Sequence, residues 1–120
     1  MKITTFNPMI ISKDAENIVR LFEELGFEKR HNKEGDDFSS NRMKDANGFH
    51  IDVVDAAAPQ DITSIRMNVD SFDTAFKILT DHGFKGTEGG QARDTGSSRS
   101  AMMISPSGFS ITIVEHIKEL

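Results

Sequence analysis

Apolar residues gather in two matching sets. In DAENIVRLFEELGF, residues 14–27, they recur at Ile18, Val19, Leu21, Phe22 and Leu25. In SFDTAFKILTDHGF, residues 71–84, they recur at Phe72, Ala75, Phe76, Ile78 and Leu79, a pattern displaced by 57 positions from Asp14 to Ser71. Spacings of three and four place such residues on one face of a helix. The pattern predicts helices over residues 14–25 and 71–82, with Asp14 and Ser71 as N-caps that accept free amide protons of the first turn. Gly26 and Gly83, each followed by phenylalanine, are expected to end the helices, because glycine accepts the left-handed backbone beyond a last turn.

The intervening stretches read as strands. Residues 3–12 alternate in character, with Pro8 implying an edge position or a bulge. Residues 27–33, 38–44 and 49–54 follow the first helix, around turns at 34–36 and 45–48. Residues 62–69 place Ile65, Met67 and Val69 on one face and Ser64, Arg66 and Asn68 on the other. A weak strand near 84–87 and strands at 100–104 and 109–114 complete the second half. The pairs GFHIDVV at Gly48 and GFSITIV at Gly108, 60 positions apart, repeat the turn-to-strand passage. Each half therefore reads β-α-β-β-β, and a duplicated unit unable to bury its own apolar face is expected to pack against its copy. The division falls near Ala56-Ala57-Ala58-Pro59-Gln60, giving one domain with modules of about 1–57 and 58–120.

Composition narrows the function. The 120 residues, 37% of them hydrophobic, suit one globular domain with a modest core. A net charge of −5, from 19 acidic and 14 basic residues, gives no attraction to phosphate backbones, so nucleic acid is not an expected partner. The absence of cysteine excludes disulfides, thiolate metal sites and cysteine nucleophiles. The opening MKITTFNPMII is broken by Asn7 and Pro8, unlike a signal peptide or membrane span, so a cytoplasmic protein without membrane association is expected.

Two β-α-β-β-β modules in a chain of this length resemble the vicinal oxygen chelate superfamily, which includes glyoxalase I, extradiol dioxygenases and bleomycin-resistance proteins. The resemblance rests on IISKDAENIVRLFEELGF, its copy MNVDSFDTAFKILTDHGF, and the closing SPSGFSITIVE, similar to the family's Pro-x-Gly turn before the last strand. It implies an α+β fold in which the modules form a cup-shaped, eight-stranded sheet with both helices outside. It also implies a homodimer, and association covers the sheet edges and apolar helix flanks of small modules. A ferredoxin-like regulatory module is the rival fold, and the extra strand per half argues against it.

In metal-dependent members, the first and last strands of each module supply the ligands. The resemblance places those positions at Asn7, Asp52, Ser64 and Thr112, of which only Asp52 is a strong oxygen donor. Hydroxyls and an amide are poor partners for a divalent transition metal. The first reading is therefore a glyoxalase/bleomycin-resistance-like protein, metal-independent and without a cofactor, that binds a small organic molecule in the cup. The alternative is a divalent-metal-dependent lyase, isomerase or dioxygenase with an atypical site at His50 and Asp52, which share a strand face at i and i+2.

The expected ligand-binding face carries Asn7, Met9, His50, Asp52, Ser64, Arg66 and Thr112, while Ile51, Val53, Ile65, Met67, Ile111 and Ile113 turn toward the helices. Arg66 has two readings. Its guanidinium can grip a carboxylate or phosphate with two parallel hydrogen bonds, which makes the ligand anionic, or it can neutralise Asp52. The glycine-rich residues 86–98 also have two: a lid that brings Arg93 or Arg99 to the ligand, or a plain hairpin connection, with no P-loop ending. No catalytic constellation of serine, histidine and acid is recognisable, so catalytic residues are not assigned.

Overall fold

The computed structural model describes the backbone of residues 1–34, 39–86, 93–94 and 98–116, and the side chains of these except 30–34, 39, 93 and 94. The elements run β1 (Ile3–Ser12), α1 (Ala15–Glu24), β2 (Glu28–Glu34), β3 (Ser39–Lys44), β4 (His50–Asp55), β5 (Ile62–Val69), α2 (Phe72–Asp81), β6 (Lys85–Gly86), β7 (Arg93–Asp94), β8 (Ser98–Ile104) and β9 (Ser110–His116). All eight expected strands are present. A ninth, β7, lies within the stretch expected to be a loop and pairs with β8. Of the turn expected at 34–36, all but the backbone of Glu34, which ends β2, lies outside the described residues, as does most of 86–98, including any lid.

The chain divides into two compact units. The amino-terminal unit, Asn7–Thr63, holds the strand order β2-β3-β4-β1, with β4 parallel to β1 and antiparallel to β3. Its ladder between β1 and β4 begins at Met9, one residue after Pro8, so it does not call on the N–H that proline lacks. The carboxy-terminal unit takes Met1–Phe6 together with the chain from Ser64 and holds β5-β9-β8-β6. The start of β1 is tied to the end of β5, where the Asp70 amide donates to the Lys2 carbonyl at 3.1 Å and the Thr4 hydroxyl to the Asn68 carbonyl at 3.3 Å.

The helices bury narrower stripes than their apolar content implies. In the amino-terminal core, Ala15 and Val19 are buried with Met43, Ile51 and Val53, and Ile18, Phe22 and Phe27 pack against them. In the carboxy-terminal core, Phe72, Ala75 and Leu79 are buried with Val69, Phe84, Ala101, Met103 and Ile113, joined by Met67, Phe76 and Ile111. Each stripe follows i, i+3, i+4, i+7, at 15, 18, 19, 22 and again at 72, 75, 76, 79. Leu21, its counterpart Ile78, and Leu25 lie off the stripe and are exposed, correcting the wider face expected from the sequence. Ile65 is half-buried and joins neither core cluster.

The helix ends differ from each other at one point. Gly26 and Gly83 take φ of 106° and 87°. Beyond them the Phe27 amide reaches the Phe22 carbonyl at 2.9 Å and the Phe84 amide the Leu79 carbonyl at 3.0 Å, the same closing bond twice. Ser71 caps α2 as expected, its hydroxyl accepting from the Thr74 amide at 3.3 Å. Asp14 does not cap α1. Its backbone, with ψ of 35°, is not extended as a capping residue requires, and its carboxylate accepts instead from the Asn17 side chain at 2.8 Å.

Candidate functional site

Two turns of one design set the register of both hairpins. In the first, Asp45 Oδ1 accepts from the Asn47 and Phe49 amides at 3.0 and 2.8 Å, and Gly48 takes φ of 90°. In the second, Ser105 Oγ accepts from the Gly108 and Phe109 amides, both at 3.0 Å, and Gly108 takes φ of 106°. The first turn places Lys44 opposite His50 and Arg42 opposite Asp52, and the second places Met102 opposite Thr112. The parallel ladders agree, pairing Met9 with Asp52 in one unit and Arg66 with Thr112 in the other.

In the amino-terminal unit this register brings together a charged cluster. Asp52 is fully buried and its carboxylate accepts from Arg42 Nε at 2.9 Å, Arg42 Nη2 at 3.1 Å and Asn7 Nδ2 at 2.8 Å. The Asn7 amide also donates to the Pro8 carbonyl at 2.9 Å, which fixes its orientation. A buried carboxylate is tolerable only when paired and hydrogen-bonded, and side-on pairing with a guanidinium meets both needs. The hydrogen bond and charge of Asp52 raise the Arg42 pKa above its ordinary value, against the opposing effect of burial. Arg42 thus keeps its charge up to strongly alkaline pH, and its contribution to stability is lost only as pH rises through that raised value.

The corresponding cluster in the carboxy-terminal unit is uncharged. Ser64 Oγ lies 2.8 Å from both Ser110 Oγ and Thr112 Oγ1, all three side chains buried. Arg66 Nε donates to Asn68 Oδ1 at 3.1 Å. The positions matched as first-strand and last-strand ligands are thus hydrogen-bonded to each other within each unit, Asn7 to Asp52 and Ser64 to Thr112. Of the remaining expected residues, Met9 is buried beside Asp52 in the register, and His50 is half-buried on the same strand face as Asp52.

This donor set does not fit a divalent metal. The one carboxylate at the four positions already faces a guanidinium, whose positive charge opposes a second cation on the same oxygens. The others offer an oriented amide and two hydroxyls. Among the described residues no three histidine, aspartate or glutamate side chains gather in one place.

Two residues outside the face expected from the sequence also hold key positions. Arg42 was legible only through the register, since a hairpin centred on Asn47 sets 42 opposite 52. Glu115 carries no local signal, yet its Oε1 accepts from the Phe72 amide at 2.6 Å in the first turn of α2. Beside it, Arg99 donates to Asp73 Oδ1 at 3.0 Å and lies 4.5 Å over the Phe72 ring. Arg99, one of the two arginines that the lid reading of residues 86–98 would bring to the ligand, is engaged at the helix start, while the Arg93 side chain lies outside the described residues.

Comparison of the structure with solved ones finds the same fold repeatedly. Methylmalonyl-CoA epimerase from Mycobacterium tuberculosis matches with a TM-score of 0.68 at 16% identity, over 97% of this chain and 90% of that one. A glyoxalase I mutant from Zea mays matches with a TM-score of 0.69 at 14% identity, over 98% of this chain and 44% of that one. A glyoxalase/bleomycin resistance protein/dioxygenase superfamily member from Vibrio splendidus matches with a TM-score of 0.63 at 10% identity, over 95% and 99%. No family model matches the sequence, and no curated protein matches it either. The fold is that of the vicinal oxygen chelate proteins, an α+β arrangement of mixed strands and two helices, as the repeated motifs implied. No helix among the described residues is long and apolar enough to cross a membrane.

Proposed function

We propose that this chain, built on the vicinal oxygen chelate fold, is a metal-independent binding protein for a small organic molecule, of the glyoxalase/bleomycin-resistance-like kind. The observation that carries the reading is the state of Asp52. The resemblance matches its position to a ligand of the metal-dependent members, and here the carboxylate is neutralised by Arg42 and oriented by Asn7. A fold that retains its duplicated frame but spends its one strong ligand on an ion pair keeps the binding surface without the Lewis acid. The candidate face in the amino-terminal unit is Asn7, Met9, His50 and Asp52, joined by Arg42. Ser64, Arg66 and Thr112 form the matching face of the other unit.

The reading includes a homodimer in the cytoplasm. Apolar side chains left exposed, such as Leu21 at 51% and Leu25 at 63%, support association between copies.

The test is metal quantification on protein purified without chelator, together with thermal melts in the presence of fractionated small-molecule extract from the host. The expected result is substoichiometric metal and a rise in melting temperature with at least one fraction. Stoichiometric metal that is lost on Asp52→Ala overturns the proposal and favours the metal-dependent enzyme at His50 and Asp52.

A further inference from the structure

Arg42 uses only one edge of its guanidinium on Asp52. Nε and Nη2 make the side-on pair, and no described residue accepts from Nη1. The side chain retains 20% of its exposure, so this second edge is held in place at a partly covered position with two N–H donors that no described residue takes up. An arginine needed only to neutralise Asp52 has no further use for that edge.

The surroundings suit an anion. Lys44 lies two residues along β3 and His50 lies opposite it on β4, so both share the face of Arg42 and Asp52, and both are half-buried. Glu28 stands opposite Lys44 on β2, but it is exposed and forms no ion pair with Lys44. Met9, opposite Asp52 on β1, adds an apolar wall. We propose that the free Nη1 edge of Arg42, flanked by Lys44 and His50, anchors the carboxylate or phosphate group of a small organic anion. The inference rests on the small-molecule reading above and assigns that molecule's charged group to Arg42. Asp52 then acts as a positioning residue, fixing the plane of the guanidinium so that little side-chain freedom is lost on binding.

Nitrogen-15 NMR of the full chain tests this directly, with inorganic phosphate and acetate as separate probes. Either anion is expected to shift the Arg42 Nη signals together with amides of β3 and β4, and which anion acts identifies the phosphate or carboxylate source. Lys44→Met, which leaves the ion pair intact, is expected to weaken the effective probe about tenfold, the scale of one charge-assisted contact. Arg42→Met alone risks unfolding, so the double variant Arg42→Met with Asp52→Asn serves as the folded control and is expected to show no binding. Arg42 signals unmoved by both probes, or binding to β3 and β4 that persists in the double variant, overturn the anchor. A host compound that raises the melting temperature while leaving Arg42 signals unmoved also overturns it, and leaves the binding reading intact. Probe shifts at Arg42 with no host fraction binding support the anchor and count against that reading.

Discussion

Arg42 and Asp52 stand directly opposite each other on β3 and β4 and are joined side-on by two hydrogen bonds, with the aspartate fully buried. Removing the guanidinium takes two charge-assisted hydrogen bonds from a carboxylate that solvent does not reach. Arg42→Met is expected to cost about 3 kcal/mol, the lower end for breaking a buried pair because Arg42 keeps some solvent contact. Adding Asp52→Asn is expected to recover most of that loss, and a denaturant-unfolding cycle over the two singles and the double measures the coupling. Additive losses would show that the two groups do not act as a pair.

The hydroxyl cluster at Ser64 supports a smaller prediction. Its oxygen bridges Ser110 and Thr112, so Ser64→Ala leaves two buried hydroxyls short of a partner. The expected loss is about 1–2 kcal/mol. The double variant with Thr112→Val should lose less than the two singles together, since it removes both ends of one bond. Chemical denaturation of the three proteins checks the inequality.

Glu115 closes the start of α2 from a distant strand. A carboxylate on a first-turn amide joins a charged acceptor to the positive end of the helix, so Glu115→Ala is expected to cost about 1–2 kcal/mol. Glu115→Gln keeps an acceptor and should lose less. Equal losses in the two variants, read from their unfolding midpoints, would remove the capping role.

Gly83 and Gly26 hold the same left-handed conformation and differ only in their surroundings. A Cβ at Gly83 would stand 2.9 Å from Pro106 Cγ, whereas one at Gly26 meets nothing within 4 Å. Gly26→Ala is expected to cost about 1–2 kcal/mol from backbone strain alone. Gly83→Ala should cost more, because the proline ring has little freedom to yield. Thermal melts that rank the two the other way would show that the hairpin turn moves freely away from α2.

The sequence alone determined whatever local periodicity and turn chemistry control. The i, i+3, i+4, i+7 stripes, the Gly-Phe helix ends, the paired turns ending in Gly48 and Gly108, and the offsets of 57 and 60 all survive in the structure, because each depends on neighbours a few residues away. Most strand ends moved by only one or two residues. The exposure of Leu21 and Ile78 could not be read in the same way, since a leucine or isoleucine fits a helix whether or not a core lies against that side. Only the tertiary structure decided which polar groups meet. The sequence marks Arg66 or a ligand as a partner for Asp52; the register of β3 places Arg42, a residue unmarked in its own polar strand, directly opposite it. Glu115 and Phe72, 43 positions apart, meet by the same cause. Long side chains on neighbouring strands have several partners within reach, and the choice among them is made by register and burial.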